Sequence, residues 1–156
     1  MNFRNMVWWL GFILVAIWAQ SLVPGVDFLV VGLVLSLQEG RLKQTCWLGA
    51  CVLLIQEGTS TLSFGTSLLL DGIAVVAFIF GRWLFQSRNV LFLSLLGGVL
   101  GLSHYLIVPM MAYLEDYSVP RESLLLESVI QAAIFPPVWL LAHTLRSLRK
   151  PDVVPV

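Results

Sequence analysis

The sequence predicts an all-α membrane protein: one polytopic domain, residues 1–156, with six transmembrane helices and both ends on the cytoplasmic side. Three observations carry that expectation. Hydrophobic residues fill 58% of the 156 positions and charged residues only 12%, whereas a soluble domain is near 45–50% apolar and can hide that fraction in one core. Six apolar runs, at 6–22, 26–38, 45–56, 68–85, 90–114 and 124–145, are separated by short polar segments, and about 20 apolar residues in a helix cross a bilayer core. Finally, if every run crosses from a cytoplasmic N-terminus, Arg4, Arg41, Lys43, Arg82, Arg88, Arg146, Arg149 and Lys150 lie inside and only Arg121 lies outside. That is the bias of the positive-inside rule.

The first run is rich in Trp (Trp8, Trp9, Trp18) and stops at Pro24-Gly25, where proline removes a donor and glycine permits positive φ. No small-x-small site precedes a soluble domain, so it reads as a retained span rather than a cleaved signal. The second run is short and ends in "QEGRLKQ", where Gly40 can cap the helix and Arg41 and Lys43 complement its C-terminal dipole. The third run is equally short. Cys46 and Cys51 sit within it five residues apart, on different helix faces, so they read as small apolar residues rather than a pair.

The polar segment "QEGTSTLSFGTS" follows, with Gly58 and Gly65 favouring irregular backbone. The fourth run carries Asp71 near its start. The fifth contains Gly97 and Gly101, a G-x-x-x-G pair that lets two helix backbones approach closely. The loop "EDYSVPRES" is acidic apart from Arg121, and the last run holds Pro136-Pro137 at its middle, where a kink is expected.

This layout gathers the intramembrane polar residues in the outer half: Gln20, Gln56, Glu57, Asp71, Glu127 and Gln131, with His104 nearer mid-membrane. Ionisable groups in lipid cost several kcal/mol unless paired or wet. The sequence therefore predicts a shared outward-facing polar pocket of Gln20, Gln56, Asp71, His104, Glu127 and Gln131, against the alternative that Glu57 and Glu127 merely snorkel to water. No nucleophile turn accompanies a partnered histidine, Asp71 lacks the glycine setting of an intramembrane aspartyl protease, and His104 and His143 lack metal-ligand spacing. The expectation is a non-enzyme with no cofactor and no metal. Zero net charge implies no nucleic-acid partner.

The stretch from Pro24 to Leu69 resembles the rod shape-determining protein MreD family of bacteria. The likeness rests on Pro24 and Asp27 opening the second run, and on Gly49, Gln56-Glu57 and Gly65, a small segment leading to an acid with a glycine eight positions later. The family usually has Asp where Glu57 stands, and often a proline where this chain has Leu62-Ser63. The resemblance implies a multi-pass protein of the bacterial inner membrane that takes part in cell-wall elongation without catalysing a reaction. It implies an MreC-like single-span partner and indirect association with the wall glycosyltransferase, the transpeptidase and the MreB filament. It also implies a fold similar to the substrate-binding subunits of energy-coupling-factor transporters, which supplies a second reading as a small-ligand binder. The first span lacks the Ala-x-x-x-Ala face those subunits use for docking; its nearest pair is Ala16 and Ala19. On the scaffold reading the partner meets an outer face of Glu57, Gly58, Gly65, Asp71, Glu115 and Asp116, while the basic residues orient the chain and contact anionic membrane lipid.

Overall fold

Six helices follow one another along the chain: α1 Phe3–Leu22, α2 Leu29–Glu39, α3 Leu42–Thr59, α4 Thr66–Leu84, α5 Val90–Leu114 and α6 Arg121–Ser147. The structure is a computed structural model and describes residues 3–23, 25–59, 65–85, 89–116 and 119–148. Pro24, most of the "TSTLSFG" stretch, Arg88, Arg149 and Lys150 fall outside the described residues. No strand occurs among those described. Four helices, α1, α4, α5 and α6, are long and apolar enough to cross a membrane. Their outward faces carry large apolar side chains such as Leu14, Trp18, Phe80, Trp83 and Leu141, all exposed, which is the surface expected of helices whose solvent is lipid.

The centre of the fold is its shortest helix. Every residue of α2 from Leu29 to Ser36 is buried, and α2 packs against α1, α3, α4 and α6. Eleven residues rise only roughly 16 Å, about half a bilayer core. The helix starts at Leu29, not at the expected residue 26, because Gly25 takes positive φ (80°). The positive φ favours glycine at this position, and the Glu127 side chain lies over it, where a methyl would be 2.6 Å from Oε2. Non-helical backbone at membrane depth is tolerated only where protein or water satisfies it, and the backbone N–H and carbonyl of Asp27, just before α2, are held in this way by a glutamine described below. At its other end α2 closes on Gly40, also left-handed (φ 69°), whose N–H donates to Leu37 O at 3.1 Å. Helix α3 is longer than its apolar run and reaches roughly 27 Å over 18 residues.

Glycines set the closest helix contacts. A methyl on Gly97 would sit 2.7 Å from the Ala132 carbonyl oxygen, and one on Gly101 would collide with the Ser128 carbonyl. The G-x-x-x-G face of α5 is therefore covered by α6 of the same chain. Between α4 and α5, the Phe92 ring lies over Gly81, where a methyl would strike it, and packs with Phe78 and Phe85. Helix α6 continues through Pro136 and Pro137 to Ser147, so the proline pair does not end it.

Candidate functional site

Two polar clusters lie at opposite ends of the bundle. Asn5 of α1, Glu39 of α2, Gln44 of α3 and Arg146 of α6 meet at one end; Gln20 of α1, Asp27 before α2, Gln56 of α3 and Gln131 of α6 meet at the other. These meetings show that α1 and α3 run one way and α2 and α6 the other.

The first cluster is built on a buried ion pair. Arg146, 7% exposed, donates to Glu39 through Nε at 2.8 Å and through Nη2 at 3.1 Å. Nη2 also donates to Asn5 Oδ1. Asn5 Nδ2 donates to Gln44 Oε1 at 2.7 Å, and Gln44 Nε2 donates to Glu39 Oε2 at 2.9 Å, which closes a ring of four side chains. The guanidinium carbon lies 4.4 Å from the Trp8 ring centroid and 5.0 Å from that of Trp9, a favourable stacking of cation on aromatic faces. Arg146, expected to be one of the exposed orientation charges, is an internal structural residue. Arg4, Arg41, Lys43 and Arg82 are exposed.

At the second end Asp27 is the hub. Its Oδ1 accepts from Leu29 N at 2.8 Å and Val30 N at 3.2 Å, capping α2. Gln20 Nε2 donates to Oδ1 at 3.0 Å and Gln56 Nε2 to Oδ2 at 2.6 Å. Gln131 holds the Asp27 backbone, accepting from its N–H at 2.7 Å and donating to its carbonyl at 3.3 Å. Three glutamines from three helices thus bind one residue of the break before α2. His104 Nε2 lies 3.6 Å from Glu127 Oε2, an ion pair whenever the imidazole is protonated.

Glu57 and Asp71 differ from expectation. The Glu57 carboxylate accepts from Gly65 N at 3.0 Å and Leu68 N at 3.2 Å, so it caps the start of α4 from the end of α3. Asp71 is 4% exposed and cannot belong to a surface that a partner touches. Neither of its carboxylate oxygens has a hydrogen-bond partner, while Asp27 and Glu57 lie close enough for their charges to act on it. Of the other residues expected on the outer face, Gly58, Glu115 and Asp116 are exposed, Asp116 with positive φ, and Gly65 is half-buried at the first position before α4.

Asp27, Glu39, Asn5 and Gln44 were not singled out as site residues by sequence. The signals for Asp27 are its place just after Pro24-Gly25, an acid inside an interrupted apolar run, and its part with Pro24 in the resemblance noted above. Among the described residues no group of three or more His, Cys, Asp or Glu side chains is placed to hold a metal ion, and Cys46 and Cys51 are free thiols. Two apolar grooves open to the outside of the bundle: about 690 Å³ between α4 and α5 beside Gly72 and Val76, and about 550 Å³ between α1 and α6 beside Gly11, Ala19 and Ala142. No family model, curated protein or solved structure matches the chain.

Proposed function

We propose that this chain is a non-enzymatic scaffold of the bacterial inner membrane, a bundle of six helices with both termini in the cytoplasm and a role in cell-wall elongation beside an MreC-like single-span protein. The observation that supports a scaffold over a ligand chamber is the use made of the polar side chains. Gln20, Gln56 and Gln131 are spent on Asp27, and Glu57 is spent on the α4 cap. Among the described residues the bundle presents apolar interhelical grooves and an exposed rim of Gly58, Glu115 and Asp116. Grooves facing lipid, lined by small residues such as Gly11 and Gly72, suit a single helix of a partner packed against them. The rim beyond them suits the partner's first extramembrane residues.

The second reading, a ligand-binding subunit with the energy-coupling-factor fold, draws on the unpartnered carboxylate of Asp71. Extraction of the tagged protein from its native membrane in mild detergent separates the two. Recovery of an MreC-like protein with wall-synthesis enzymes sustains the scaffold. Recovery of a transporter ATPase pair with a small bound molecule replaces it.

A further inference from the structure

A carboxyl group buried among helices needs a counter-charge, water or a proton, since an isolated buried carboxylate costs far more than its neutral form. Asp71 is buried to within 4% of its surface, and among the described residues no donor reaches Oδ1 or Oδ2. The same end of the bundle carries a third orphan acceptor, Gln56 Oε1, whose amide nitrogen is already committed to Asp27. Three acceptors without a donor call for something that donates. The acids around them add to that demand: Asp27 from the α1–α2 connection and Glu57 from α3 act directly on Asp71. From α5, His104 acts on Asp27, and its Nε2, without a hydrogen-bond partner, lies 3.6 Å from Glu127 Oε2 of α6. Asp27 has its own donors, two backbone N–H groups and two glutamine amides, which favour its charge over that of Asp71. Asp71 has none.

We infer that Asp71 is a proton-binding site: its carboxyl carries an exchangeable proton beside the hydrogen-bonded Asp27, and occupancy by that proton holds the first turns of α4 against the α2 break and the end of α3. Two acids sharing one buried site do not both ionise readily, and here the hydrogen bonds decide which one keeps the charge. Loss of the proton to water leaves an uncompensated negative charge on Asp71, next to Asp27 and Glu57. The start of α4 then separates from α2 and α3, or water enters between them. The packed form belongs to the acidic side, and raising the pH loosens this end alone. The inference stands on this geometry and is independent of the wall-elongation reading.

The test is infrared spectroscopy of the full chain in lipid nanodiscs, with ¹³C carried only on aspartate. The expected result is an isotope-shifted protonated-carboxyl band at neutral pH that fades as the pH rises. It is absent in Asp71→Asn, retained in Glu57→Gln, and indifferent to exchange of sodium for choline. Wild type should lose thermal stability over the same pH rise while Asp71→Asn does not. An absent band, a band that survives Asp71→Asn, or a band abolished by sodium, which would make the site a cation site, each overturns the inference. Should Asp71→Asn fail to fold, the labelled wild type still decides, because a chain with no protonated aspartate at neutral pH refutes it.

Discussion

The two ends of the bundle handle buried charge in opposite ways. At the Arg146 end, cation and anion are both present, each oxygen of Glu39 is engaged, and Trp8 and Trp9 cover the guanidinium. At the Asp27 end, one carboxylate is saturated by neutral amides and the other, Asp71, has no partner. The first arrangement has a single satisfied state and acts as a lock. The second has a member whose charge can change, and the backbone beside it is already broken at Gly25. Rigidity and responsiveness are thus placed at opposite faces of one bundle.

That contrast is broken most severely by Arg146→Ala. Removing one member of a buried pair strands Glu39, which costs about 3–5 kcal/mol. Thermal unfolding in detergent should show a large loss, and Glu39→Gln combined with Arg146→Met should recover most of it. Asp27→Ala strikes the other end. It removes the α2 cap and leaves two glutamine amides without acceptors, a loss of about 2–3 kcal/mol, and hydrogen exchange should rise first in the opening turn of α2. Gly101→Val lies between the ends and forces a side chain against the Ser128 carbonyl, costing about 1–3 kcal/mol; the same method should find the loosening along α5 and α6 rather than at either cluster. The smallest effect belongs to Glu57→Gln, which keeps acceptor oxygen at the α4 cap and loses about 0.5 kcal/mol of charge–dipole interaction. If Glu57→Gln retains the copurifying partner while Glu57→Lys loses it, the residue acts through the cap rather than through direct contact.

The helices were legible because each rests on a local pattern. The apolar run over 90–114 gives α5, and the spacing of Gly97 and Gly101 marks a face that needs a close neighbour. The gathering of Gln20, Gln56 and Gln131 in one half of the molecule was readable from where they fall in their runs. Their common target was not, because Asp27 lies 104 residues from Gln131 and only the folded chain brings them together. Arg146 was misplaced for the same reason. A basic residue at the end of an apolar run has the sequence signature of an orientation signal, and nothing local reveals that Glu39, 107 residues earlier, waits for it. The start of α2 was set three residues early because hydropathy does not register a left-handed Gly25.

The central position of α2 fixes a schedule for biosynthesis. Both of its flanking acids depend on the last helix: Asp27 on Gln131 for its backbone and Glu39 on Arg146 for its charge. A ribosome adding roughly 5–20 residues per second takes on the order of 5–20 s to cover that interval. Throughout it the nascent chain holds a half-length helix with an open break in or beside the bilayer. Until α6 emerges, the backbone of Asp27 and the charge of Glu39 lack their native partners, so a chain ending before residue 121 lacks the contacts that hold both ends of α2.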